Sequence, residues 1–293
     1  MTELLGPAVQ AWLTGVALPG RRITAVRRLT GGYSNDNCLI TTTGGAFVLR
    51  RYLRRNSCAL ETALAARLAR VVPVPEVVAA DPTGDRAGEP VLLSTFVPGR
   101  PLGDVTGARA AGAALARIGS VTFSAPGFFA GGTLEPDGAE PTAGLDHFVK
   151  RCLDEGNADG HLTDDEQRKL MRFAEEAAPA LTALAGSRHL VHADYNPKNL
   201  LVDGDRVTAV LDWEFAFSGS PLFDIGNMLR DPRPPGFAAA VLDGFRAEGG
   251  DLPPDWRRLS RALDLYSLAD FLTRPVDHRY FARAVERIRE LVA

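Results

Sequence analysis

The segment from His189 to Glu214, HLVHADYNPKNLLVDGDRVTAVLDWE, gathers Asp194, Asn199 and Asp212 around one expected hairpin. Residues 200–202 and 207–211 are short aliphatic and β-branched runs, and Asp203-Gly204 between them is a strong signal for a tight reversal. A turn centred there sets Asp212 roughly opposite residues 195–196, so the three polar side chains converge on one end of the hairpin. One carboxylate that can take a hydroxyl proton, with an amide and a second carboxylate that can hold Mg²⁺, is the set that phosphoryl transfer from a nucleotide requires. A His-x-Asp pair alone would be unremarkable in a loop. The full set of residue types, their spacing and the intervening hairpin are far more specific.

Such a set needs a body to position it. The chain has 293 residues, 45% hydrophobic and 24% charged, which suits a soluble globular protein large enough for two lobes. Thirty-three basic and 36 acidic residues give a formal charge of −3, which argues against a general nucleic-acid binder. Cys38, Cys58 and Cys152 form no C-x-x-C pair, and their odd number and wide spacing read as reduced thiols. The first residues carry Glu3 and a helix-like apolar pattern in place of a basic region with a secretory core, and no run approaches a membrane span. The expectation is a cytoplasmic protein with no membrane or nucleic-acid partner, either monomeric or homodimeric.

Taken in order, residues 3–14 read as a short amphipathic helix with Leu4, Leu5, Val9, Trp12 and Leu13 on its apolar face. Strand-like runs follow at 23–29, 37–43 and 46–52, separated by Gly31-Gly32 and Gly44-Gly45, the pattern of an antiparallel meander. In the first of these turns, Thr30-Gly-Gly-Tyr-Ser-Asn35, glycines let backbone amides approach phosphate oxygens and Ser34 can add a hydrogen bond. Residues 57–70 form a helix with Leu60, Leu64 and Leu68 on one stripe and Glu61 at its edge. Two more strands, at 76–80 and 90–96, complete a small α+β lobe, and Thr95-Phe96-Val97-Pro98-Gly99 marks its boundary. Beyond it the chain is mainly helical, at 108–121, 147–153, 164–184, 236–248, 255–272 and 278–292, with a capping box at Thr163-Asp-Asp-Glu166. The Gly/Pro-rich stretch 123–143 reads as a surface excursion.

His192-x-Asp194-x-x-x-x-Asn199 followed by Asp212 resembles the catalytic loop and metal-binding aspartate of kinases. The form here, His-Ala-Asp-Tyr-Asn-Pro-Lys-Asn, then Leu-Asp-Trp-Glu and Gly-Ser-Pro-Leu-Phe-Asp-Ile, is similar to the aminoglycoside phosphotransferase and choline kinase family. Protein kinases have Asp-Phe-Gly where this chain has Asp212-Trp213-Glu214. The resemblance runs in order through essentially the whole chain and implies an α+β, bilobal, protein-kinase-like fold. Residues 1–97 would be a nucleotide-binding lobe with an antiparallel sheet, and 98–293 a larger, mainly helical lobe for catalysis and the acceptor.

The resemblance also implies roles. Asp194 would be the catalytic base, Asn199 and Asp212 the Mg²⁺ ligands, and ATP the donor, with GTP left open. Gly31, Gly32, Ser34 and Asn35 would lie along the phosphates. Arg50, where a lysine is usual, would contact the α- and β-phosphates and pair with Glu61; its fork binds phosphate differently from an ammonium. The backbone of Thr95, Phe96 and Val97 would meet the adenine, while His192 and Asp224 would support the catalytic loop. Lys198 is a further candidate for contact with the transferring phosphate.

The resemblance implies a small-molecule acceptor. Acidic residues Asp154, Glu155, Asp270 and Glu214 could line a pocket for a polycation, and a cationic antibiotic, an aminoglycoside or a basic peptide of the tuberactinomycin type, is the favoured reading. The alternatives are a metabolite kinase acting on choline, homoserine or a sugar, and a nucleotide-binding pseudokinase scaffold. A scaffold would be expected to lose the base or a metal ligand, and this sequence keeps them.

Overall fold

The computed structural model describes residues 4–29 and 35–293. The glycine turn carrying Gly31, Gly32 and Ser34 lies outside the described residues. In chain order, helix α1 (Pro7–Trp12) runs on as a wider π turn over Leu13–Ala17, and strands β1 (Ile23–Arg28), β2 (Asn35–Thr42) and β3 (Gly45–Tyr52) follow. Helix α2 (Cys58–Leu68) precedes β4 (Val77–Asp81), β5 (Val91–Thr95) and the short β6 (Arg100–Pro101). Next come α3 (Ala108–Gly119), β7 (Gly127–Phe128), α4 (Leu145–Glu155), α5 (Asp164–Leu181) and β8 (His189–Val191). The chain ends with β9 (Leu200–Asp203), β10 (Arg206–Val210), β11 (Phe217–Gly219), α6 (Leu222–Leu229), α7 (Phe237–Ala247), α8 (Trp256–Leu272) and α9 (Arg279–Val292). No helix among the described residues is long and apolar enough to cross a membrane.

These elements form two compact units. The first takes Met1–Leu102, Phe129–Glu135 and Lys198–Phe215; the second takes Gly103–Phe128, Pro136–Pro197 and Ala216–Ala293. In the first, five antiparallel strands run in the order β1-β2-β3-β5-β4. The two-residue period of the strands turns Cys38, Ile40, Leu49, Val91 and Leu93 inward, where Leu5, Val9, Trp12 and Leu13 cover them. Leu60, Leu64 and Leu68 of α2 are buried at helical spacing, which leaves Glu61 beside that stripe. Part of the excursion at 123–143 belongs to this unit, since Gly132 lies against Ala59 of α2.

The expected hairpin is β9–β10, with β6 added on the outer edge of β9. Gly204, at φ +59°, opens the two-residue reversal between Asp203 and Arg206. The expected register is corrected. Val207 faces Val202 but Ala209 faces Leu201, so the ladder slips at Thr208, and the Leu211 amide bonds the Asn199 carbonyl at 2.8 Å. Asp212 therefore comes in near Asn199 instead of opposite residues 195–196, because the reversal is centred on Gly204-Asp205, one residue later than expected, and the slip at Thr208 shifts the pairing by one more.

The second unit is built on close helix packing. α3 and α7 cross at glycines: a Cβ on Gly112 would sit 1.8 Å from the Val241 carbonyl oxygen, and one on Gly244 would sit 1.9 Å from that of Arg109. α5 starts with the expected capping box, the Glu166 amide donating to Thr163 Oγ1 at 3.2 Å and the Thr163 amide to Glu166 Oε2 at 2.7 Å. β7, β11 and β8 form a small antiparallel sheet ahead of α6, in which residues Leu222 through Met228 are all buried. A helix buried on every side belongs inside a core, and its polar residues Asp224 and Asn227 are hydrogen-bonded there. The glycine crossing gives a direct test. Gly112→Ala should destabilise the protein by about 1–3 kcal/mol or more through overpacking, despite alanine's better helix propensity, as read from the midpoint of chemical denaturation.

Candidate active site

In the first unit one guanidinium organises the polar residues. Arg50 Nη1 on β3 donates to Glu61 Oε2 of α2 at 2.7 Å and to Asp212 Oδ1 at 2.9 Å, just past β10. Its Nε reaches Asn37 Oδ1 at 3.3 Å, and Ser57 Oγ donates to the other oxygen of Glu61 at 2.8 Å. The antiparallel pairing of β3 with β2 and β5 fixes the strand that carries Arg50, and the helical stripe of α2 fixes Glu61. Burial opposes the charge on Arg50, and the two carboxylates more than overcome it, so the guanidinium stays protonated. Burial likewise pushes the Glu61 carboxyl up against the pull of Arg50.

Asp212 has φ +69°, a left-handed conformation uncommon for any side chain, though less so for aspartate. Two residues on, Glu214 is 4% exposed and accepts a hydrogen bond from Asn35 Nδ2 at 3.1 Å. Burial first, and then the charge of Asp212, pushes Glu214 up to about 6. Asn199 ends the 3₁₀ turn Pro197–Asn199 and is 6% exposed, while Lys198 in the same turn is exposed. Asn199 and Asp212 flank the adjoining ends of β9 and β10, and an amide and a carboxylate are hard oxygen donors that suit Mg²⁺ together with phosphate oxygens. At the end of β5 the Thr95 and Phe96 amides are taken by the carbonyls of Glu76 and Ala46, and Val97 follows them.

In the second unit the segment 192–196 is held from below. Asp224, with no exposed surface, accepts the His192 amide on Oδ2 at 2.7 Å and the Ala193 amide on Oδ1 at 2.8 Å. His192 is fully buried, and its Nδ1 accepts the Asp194 amide at 3.2 Å. Tyr195, edge-on to the His192 ring at 5.8 Å, donates its hydroxyl to the Ala111 carbonyl of α3 at 2.7 Å. Ala193 at φ +68° turns the chain between these anchors. Left-handed backbone costs an alanine about 1–2 kcal/mol, and the amide bonds of His192 and Ala193 to Asp224 hold the chain in it.

Sequence reasoning missed Asn196. Its Nδ2 donates to Asp194 Oδ1 at 2.6 Å and to the Asp194 carbonyl at 3.0 Å, so it fixes the orientation of the carboxylate. An Asp-x-Asn spacing in a turn was the available signal, because asparagine readily bonds backbone two residues away. Of the acidic residues considered for an acceptor, Glu214 joins the Arg50 group, whereas the other three lie on α4 and α8. Asp154 pairs with Lys150 at 2.8 Å, Asp270 pairs with Arg274 at 2.9 Å, and Glu155 is exposed at the end of α4. Among the described residues no three His, Cys, Asp or Glu side chains cluster as a metal site; the oxygen pair above includes an amide.

Burial pushes Asp224 up to about 7, from a usual 3.8, against the amide bonds that lower it. The folded chain thus holds this proton more tightly than the unfolded chain. The resulting contribution to stability is complete below the usual carboxylate value and is lost as pH rises toward about 7. In melts across that window, Asp224→Asn should flatten the fall in stability, and at all pH values it should lower stability by about 1–3 kcal/mol because an amide oxygen cannot accept at both positions.

The sequence profile described as "Phosphotransferase enzyme family" (APH) matches residues 25–262. Among curated proteins, the chain is 26% identical to a homoserine kinase of Gluconobacter oxydans (strain 621H), over 94% of this chain and 91% of that one. It is 46% identical to hygromycin-B 4-O-kinase of Escherichia coli over 60 residues, 20% of this chain and 16% of that one. Its fold is similar to that of a thermostable mutant of aminoglycoside phosphotransferase APH(4)-Ia, in a ternary complex with AMP-PNP and hygromycin B. The TM-score is 0.67 and the identity 20%, covering 97% of each chain. With most of its length matched, the chain belongs to the APH phosphotransferase family and is a small-molecule O-phosphotransferase.

Proposed function

We propose that the protein transfers the γ-phosphoryl group of ATP to the hydroxyl of a small molecule that carries a cationic nitrogen. The observation that carries this reading is Arg50 bridging Glu61 and Asp212, which ties a phosphate-binding cation to a metal-ligating carboxylate. In the reaction the acceptor oxygen attacks the γ-phosphorus, the bond to the bridging oxygen of ADP breaks, and Asp194 takes the hydroxyl proton. The products are ADP and a phosphate monoester. Asn196 keeps the Asp194 carboxylate aimed, and His192 and Asp224 keep its loop in place. Asn199 and Asp212 would hold Mg²⁺, which neutralises developing charge on the phosphates when bound. Gly31, Gly32, Ser34 and Asn35 belong to the phosphate side, and Lys198 to the transferring group. Thr95, Phe96 and Val97 belong to the adenine; with the first two amides occupied, Val97 is the donor of choice. The division into residues 1–97 for the nucleotide and 98–293 for catalysis and acceptor is part of the same proposal.

A cationic antibiotic remains the first reading of the acceptor, supported by the similarity of fold to an aminoglycoside phosphotransferase. Homoserine is the second, favoured by the full-length likeness to homoserine kinases. Both are ammonium-bearing alcohols. A panel of aminoglycosides, tuberactinomycins, choline and homoserine, assayed for ATP consumption with mass spectrometry of the product, separates them. With the acceptor so found, Asp194→Ala should lower kcat by about three orders of magnitude or more while nucleotide affinity stays within a few-fold. Turnover like that of the unaltered protein would reject the role of Asp194, and no phosphorylation across the panel would favour a scaffold.

A further inference from the structure

In the second unit, α6, α7, α8 and α9 line a half-open cavity of about 330 Å³, none of whose lining residues has a part in the transfer proposed above. Four guanidinium groups line it, Arg230, Arg257, Arg261 and Arg287, against two carboxylates, Asp264 and Glu290. The two acids are already engaged. Asp264 binds Arg230 at 2.6 Å and Glu290 binds Arg287 at 2.7 Å. Those two arginines are locked in the wall, their side chains 12% and 10% exposed. Arg257 and Arg261 have no carboxylate partner among the described residues. They stand one turn apart on α8, with the Arg257 guanidinium 4.6 Å from the Trp256 ring. The lining groups therefore carry two positive charges in excess, in a chain whose net charge is −3, with one further acid, Glu286, paired to Arg287 at 3.0 Å beside them.

The cavity also has a defined relation to the catalytic loop. At about 100° per residue, Gly226, Leu229 and Arg230 point roughly 140–240° around α6 from Asp224. One side of this helix thus holds the His192 and Ala193 amides while the other lines the cavity. α6 has no slack against α8, since a Cβ on Gly226 would lie 2.3 Å from the Ser260 carbonyl oxygen. Guanidinium forks suit phosphate and carboxylate oxygens, and a cavity of this size suits a small metabolite.

We propose that this cavity is a binding site for a small, multiply charged anion bearing phosphate or carboxylate groups, which Arg257 and Arg261 grip against the fixed Arg230 and Arg287. The test is calorimetric titration of the full-length protein, held with Mg²⁺ and a non-hydrolysable ATP analogue so that the nucleotide site is filled. Pyrophosphate and citrate serve as separate probes for the two sources of charge. The expected result is one equivalent bound for at least one probe, with affinity falling by at least about tenfold in the Arg257→Ala/Arg261→Ala double variant. Both substituted side chains are exposed, and an unchanged melting temperature verifies that the variant is folded. Equal binding by the parent and the variant, or no binding of either probe by the parent at about 10 mM, overturns the proposal.

Discussion

A single guanidinium shared by two carboxylates sets the geometry of the first unit. Arg50 joins the middle strand of a sheet, the helix that covers it and the end of a hairpin that returns from more than a hundred residues away. Such a group is a poor source of net stability, because desolvating three charges cancels most of their attraction. Its value is directional. Removing one partner from a buried pair costs about 3–5 kcal/mol, since a charge is left behind without compensation, so each member constrains where the other two can be. Partial exposure of Asp212, at 28%, moderates that penalty at one corner of the group.

The second unit solves a different problem with a different device. The loop that bears Asp194 leaves that carboxylate partly exposed while its neighbours His192 and Tyr195 are fully buried. Its backbone is fixed as well, by a fully buried acid beneath it, while Tyr195 reaches down to a carbonyl on α3. The position of α3 depends in turn on glycines that let α7 come to backbone contact. The placement of Asp194 thus rests on packing several layers away from it.

The elements were readable where the hydrophobic period was strong, two in β2 and 3.6 in α5 and α9. The polar residues were readable because their order along the chain is itself a pattern. Three features were not. The slip at Thr208 comes from how two strands twist together, which no single strand encodes. Glycines in α3 and α7 read as weak points of helices until their partners are known, and then they become contact surfaces. The Asp264 pairing with Arg230 and Asn227 joins residues more than thirty positions apart, and short-range periodicity carries no information about such pairs.

The left-handed backbone of Asp212 narrows what evolution could place there. Aspartate and asparagine enter that region more readily than longer or branched side chains, and glycine enters it freely. Of the three, only aspartate is an anion. Glutamate would keep the charge but meet the backbone's resistance, so the shorter acid is selected twice, once by the turn of the chain and once by the charge it carries. Asparagine or glycine would fit the same turn, but either would leave Arg50 with Glu61 as its one carboxylate partner among the described residues.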